Sequence, residues 1–185
     1  MFQKIILFLV VIILVLFQGS FLVNFFPEGL VPNLVLSLVV FWIVRAGFNE
    51  SWPGIVLAGF FLDLAHNWTI GISILSLAIV AFLISSLVRR LSVAQGGLGF
   101  VMILGFVFFG SLVNDLIINY TVQSIFWLRG FESGSALVYP FGVIIFWNAL
   151  LTSAGFVVLY WPLKKIEERV IFYNKGQFTK TRFLK

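Results

Sequence analysis

Long apolar runs divided by brief polar breaks occupy most of the chain, at about 5–23, 30–44, 53–65, 70–88, 98–122 and 137–161. A helix needs about 20 residues to cross a hydrocarbon core of ~30 Å. The first, fourth, fifth and sixth runs meet that length unaided. The second and third are short, so their polar ends must lie at the interface or be covered by neighbouring helices. Local signals still mark them as separate helices. Pro32 opens the second, Ser51 and Pro53 open the third, and Thr69 is placed to cap the fourth. The pattern predicts an all-α integral membrane protein with six transmembrane helices.

Charge placement tests that count, because cytoplasmic loops of membrane proteins are enriched in Lys and Arg. With the N-terminus inside, Lys4, Arg45, Arg89, Arg90, Lys164, Lys165, Arg169, Lys175, Lys180, Arg182 and Lys185 all fall inside, and only Arg129 falls outside. Merging 53–88 into one span would send Arg89, Arg90 and the seven tail residues outside. Six spans with both termini cytoplasmic are therefore expected. Trp52 and Trp161 then lie at inner ends and Trp68 and Trp127 at outer ends, as an aromatic belt requires, whereas Trp147 is expected to pack between helices.

Composition agrees. Of 185 residues, 61% are hydrophobic and only 10% charged, and the mean hydropathy is +1.11. A soluble domain is roughly one quarter charged. The net charge of +5 follows membrane topology, so no nucleic-acid partner is implied. Cysteine is absent, which removes disulfides and thiolate metal sites. The first run resembles a signal peptide in outline, but Phe17-Gln18-Gly19-Ser20 offers no small-residue cleavage pattern and apolar residues continue to Phe26. It is expected to be retained as a span.

Polar residues inside the runs are the candidates for chemistry, since an intramembrane charge costs at least ~2.5 kcal/mol and must face protein or water. Gly59, Asp63, His66 and Asn67 share one face of the third helix. Asp63 suits either an ion or proton site or a hydrogen bond to a helix brought close by Gly59, and its isolation favours the hydrogen bond. Asp63 and His66 have metal-ligand spacing without a further ligand near them in sequence, so no metal site is expected. On the fifth helix Ser111, Asp115 and Asn119 form a stripe with Asn114 beside it. Asn148 and Thr152 on the sixth helix, or Asn33 and Ser37 on the second, are placed to receive it. A transported solute and plain interhelical hydrogen bonding both fit that stripe.

Enzymatic motifs are lacking: there is no Ser-His-Asp set, no H-E-x-x-H and no Walker sequence, and His66 is the sole histidine. No enzyme activity and no cofactor are expected. Gly96, Gly97, Gly99, Gly105 and Gly110 fit a loop and then a close-packed helix face. The tail 164–185 is basic, with Ile166, Val170 and Tyr173 at helical spacing. It is expected to lie as an amphipathic helix on the inner leaflet, with Arg89, Arg90, Lys164, Lys165 and Arg169 against anionic lipid.

The stretch 31–83 resembles the rod shape-determining protein MreD family of bacteria. Pro32-Asn33-Leu34 followed by an aliphatic run to Phe41-Trp42, the segment from Gly59 to Asp63-Leu64, and Gly71 eight residues past that aspartate carry the likeness. Asp115 in the fifth span and the basic tail extend it. Residues 130–135 match no pattern of the family. The resemblance implies a non-enzymatic subunit of the bacterial inner membrane, with a fold similar to the six-helix substrate-binding subunits of energy-coupling-factor vitamin transporters. It implies work with the bitopic protein MreC and, through it, with MreB, RodA and a class B penicillin-binding transpeptidase. The alternative is a transporter subunit that holds a small solute among Asp63, Asp115 and Asn119. Loops 24–29 and 65–69 are short for covering a ligand, which favours the scaffold.

Overall fold

The structure is a computed structural model that describes residues 2–27, 30–65, 70–91, 97–128 and 141–182. Helices α1 (Phe2–Phe17) and α2 (Val23–Phe25) are joined by a π-helical segment, Gln18–Leu22. Phe17 and Leu22 keep right-handed helical dihedrals, so the three pieces make one continuous rod. There follow α3 (Leu34–Ala46), α4 (Phe48–Ala65), α5 (Ile72–Arg90), α6 (Gly97–Leu128) and α7 (Phe141–Arg182). No strand occurs among the described residues. Three segments are long and apolar enough to cross a membrane, Ile72–Arg90, Leu98–Ser124 and Gly142–Ile166, and Leu9–Phe25 and Leu34–Ala46 are shorter apolar helices.

Helix α3 is the axis of the bundle. Every residue from Leu34 to Ile43 is buried, and α1, α4, α5, α6 and α7 all pack on it. A helix of 13 residues is only about 20 Å long; its start is buried, whereas Arg45 and Ala46 at its other end are exposed. Leu36, Leu38 and Ile43 of α3 share one buried core with Ile55, Leu77, Ile84 and Phe156, all essentially inaccessible.

Paired contacts fix the helix directions. Asn33 meets Thr152 and Phe41 meets Tyr160, both 119 residues apart, so α3 and α7 run parallel. Gly59 lies beside Ile74 and Asp63 beside Gly71, which makes α4 and α5 antiparallel. Ser76 with Asn114, and Val80 with Gly110, do the same for α5 and α6. Asp115 with Asn148, and Phe100 with Phe156, make α6 and α7 antiparallel. Arg45, Arg89, Arg90, Lys164 and Lys165 therefore gather at one end of the bundle.

Two local expectations need correction. Helix α4 starts at Phe48, before Ser51 and Pro53. The Ser51 N–H already donates to Gly47 O at 3.2 Å, and Pro53 sits at an exposed helical position where the carbonyl left without a donor can be hydrated. Trp147 does not pack between helices. It is 52% exposed, alongside Phe146 and Val143 on the outer side of α7. Trp52 and Trp161 are also exposed, and the Lys165 Nζ lies 4.7 Å from the centre of the Trp161 ring. Trp68 and Thr69 lie outside the described residues.

Candidate functional site

The polar groups inside the bundle fall into three sets, and two of them close helix ends. An α-helix leaves its first four N–H groups without intrahelical partners. At the start of α3, Asn33 is the N-cap and its side chain accepts from the Leu36 N–H at 2.9 Å. Gln18 Oε1 accepts from the Leu34 N–H at 3.0 Å and the Val35 N–H at 3.4 Å. The Asn33 N–H donates to Thr152 Oγ1 at 3.0 Å. Ser37 Oγ donates to Asn33 O at 3.3 Å and lies 3.5 Å from Thr152 O. Side chains from the π-helical segment, from the cap and first turn of α3 and from α7 thus meet at one helix end inside an apolar bundle.

Gln18 was not among the residues singled out by sequence. It is buried, and it begins the π-helical segment, where a widened turn re-aims the side chain relative to a regular helix. Gln18→Leu leaves the buried Val35 N–H without its acceptor and the Leu34 N–H with Pro32 O alone, at an expected cost of ~1–3 kcal/mol. Thermal unfolding of the purified variant measures this, and an unchanged midpoint contradicts the capping role.

The second set centres on Asp63, which is 1% exposed. Its Oδ2 accepts from the Gly71 N–H at 2.6 Å and its Oδ1 from the Ser73 N–H at 2.8 Å. Gly71 is the N-cap residue of α5, at φ 112, a left-handed conformation that glycine adopts without steric cost. Both carboxylate oxygens therefore bind the positive end of α5, where a negative charge is favoured by the helix dipole. Gly59 makes this possible. A Cβ there would lie 2.5 Å from Ile74 Cα and 2.7 Å from Ile74 N, so α4 and α5 touch backbone to side-chain-free backbone. His66 and Asn67, expected on the same face, lie outside the described residues.

The third set joins α5, α6 and α7. Ser76 Oγ donates to Asn114 Oδ1 at 2.8 Å. Asn114 Nδ2 donates to Asp115 Oδ1 at 3.4 Å, and Asn148 Nδ2 donates to Asp115 Oδ2 at 2.9 Å. Asn148 thus receives the α6 stripe, but Thr152, one turn on, turns to Asn33 instead. Asn119 Nδ2 folds back onto Asp115 O at 2.8 Å. Ser111 Oγ and Asn148 Oδ1 are buried without a hydrogen-bond partner among the described residues. Of the fifth-helix glycines, Gly110 packs on Ile84 and Val80, whereas Gly105 faces open space. That part of the close-packed face is not formed.

Among the described residues no group of three or more His, Asp or Glu is placed to hold a metal. At the basic end, Arg89 Nε donates to Ser85 O, Arg45 lies over the Phe41 ring, and Arg169 is on the far part of α7. No protein-family model matches the chain, and no solved structure matches it.

Proposed function

We propose that the chain is a non-enzymatic, six-span subunit of the bacterial inner membrane that supports rod shape and sidewall peptidoglycan synthesis by binding an MreC-like bitopic protein. The basic end faces the cytoplasm, where each Lys or Arg near anionic lipid contributes about 1 kcal/mol. One observation carries the proposal: the residues behind the MreD-like pattern are engaged in architecture. Asn33 caps α3, Asp63 caps α5, and Gly59 and Gly71 permit that cap. Such use suits a scaffold, whose product is a shape. MreB, RodA and a class B penicillin-binding transpeptidase are then indirect partners.

The vitamin-transporter alternative needs Asp63, Asp115 and Asn119 to face one solute. Asp63 gives both oxygens to α5, Asp115 bonds to Asn148 of α7, and Asn119 bonds within its own helix. These commitments count against it. Detergent pull-down with an MreC-like partner is the test, together with depletion in rod-shaped cells. Stoichiometric co-purification and rounding of the depleted cells are expected. A protein that retains no such partner, in cells that stay rod-shaped, overturns the proposal, and a stoichiometric bound vitamin replaces it with the transporter.

A further inference from the structure

We infer that Asp115, Ser111 and Asn148 form a binding site for a hard monovalent cation between α6 and α7. The two buried-region aspartates differ in what answers their charge. Asp63 binds two backbone N–H groups at the start of a helix. Asp115 lies deep within α6, with Gly97 at one helix end and Leu128 at the other, far beyond the single terminal turn over which the helix dipole acts. Two neutral side-chain amides donate to it, one at 2.9 Å and one at 3.4 Å. A carboxylate inside a long apolar span ordinarily pairs or lines a functional path.

Two further oxygens are left over on the same pair of helices, one a turn before Asp115 on α6 and one on Asn148 of α7. Ser111 is fully buried, stands one turn before Asp115 on the same face, and its Oγ has no partner among the described residues. Asn148 commits its Nδ2 to Asp115, and its buried Oδ1 is unpartnered. The amide orientation follows from the contact itself, since turning it over would set Oδ1 against the carboxylate. Both orphaned atoms are shielded from the surface, which excludes a docking helix as their partner and leaves only a small occupant. Water would satisfy the hydroxyl and the amide but leave the carboxylate charge unanswered. A cation satisfies all three.

Charge and ligand type narrow the class. Oxygen-only ligands select hard cations over soft transition metals. A single carboxylate neutralises a single positive charge, and a divalent ion would leave a net charge buried at large cost. The site is independent of the cell-shape proposal, because it asks nothing of any partner protein.

The test uses the full chain purified in detergent, in choline chloride at constant pH and ionic strength. Sodium chloride replaces choline stepwise while thermal unfolding is followed, and retention of radioactive sodium is measured in parallel. A saturable rise in Tm with matching retention is expected. Asp115→Asn is expected to abolish both. Ser111→Ala, which removes one neutral oxygen, is expected to weaken the apparent affinity on the order of tenfold, with the sodium-free Tm close to that of the unsubstituted protein. If lithium, sodium and potassium all leave Tm unchanged, or if Asp115→Asn keeps the response, the site is overturned. Should Asp115→Asn not fold, Ser111→Ala decides alone, and unaltered affinity overturns the site. Stability that follows pH but no alkali cation also overturns it, leaving the proton as the occupant.

Discussion

Asp63→Leu is expected to destabilise the protein by ~2–5 kcal/mol, because it strips an N-terminal cap and leaves two backbone donors unpaired. The Ser73 N–H has no water to turn to, since Asp63 and Ser73 are buried, and the Gly71 N–H is only half-buried. Asp63→Asn keeps one acceptor oxygen and loses the charge, and its amide N–H₂ faces a donor. It is therefore expected to fall between the native residue and leucine. Thermal unfolding of the purified variants, with the yield of monodisperse protein as a second readout, ranks the three. Equal damage from Asn and Leu would show that the charge itself is what the site needs. Equal tolerance of both would remove the cap from the account.

Gly59→Leu is expected to abolish the folded state, and Gly59→Ala to cost ~1–3 kcal/mol or more through overpacking. The obstacle is the Ile74 backbone, Cα at 2.5 Å and N at 2.7 Å from an added Cβ. A side-chain tip could swing aside, but a backbone moves only if α5 moves. That shift draws the Gly71 and Ser73 N–H groups away from Asp63, so the glycine and aspartate substitutions are not additive. Gly105→Ala serves as the control. It sits in α6 with open space around it, and its stability is expected to be unchanged or higher, as alanine is the better helix former. Unfolding midpoints of Gly59→Ala and Gly105→Ala that coincide would refute the close-approach argument.

The helices were legible in the chain because apolar runs and their breaks record them directly. The length of α3 left its ends either at the interface or covered by neighbours; its start is covered, and Arg45 and Ala46 at the other end are exposed. The partners of Asp63 were not legible. The sequence pointed to a hydrogen bond with a neighbouring helix, but the donors are backbone N–H groups, which nearly every residue carries and no pattern marks. Gln18 was passed over for a related reason. One glutamine near the end of an apolar run looks interfacial, and a π-helical turn has no residue signature that would predict its side chain turning inward. Asn148 and Thr152 show the limit of spacing arguments. Residues four apart differ by about 40° around a helix, enough for one to meet α6 and the next to meet α3 in a crowded bundle. Trp147 failed because position along a span does not say which side of the helix faces the lipid.

The contact between Asn33 and Thr152 also sets an order of events during synthesis. The two residues are separated by 119 positions in the chain, about 6–24 s of translation at ~5–20 residues per second. Throughout that interval the Asn33 N–H lacks its Thr152 partner, while Gln18 and the Asn33 side chain already cap α3. Helix α7, made after α3, supplies the missing partner. Chains that stop before Thr152 keep the Asn33 N–H without that partner for good, so the start of α3 is finished only when α7 has been made.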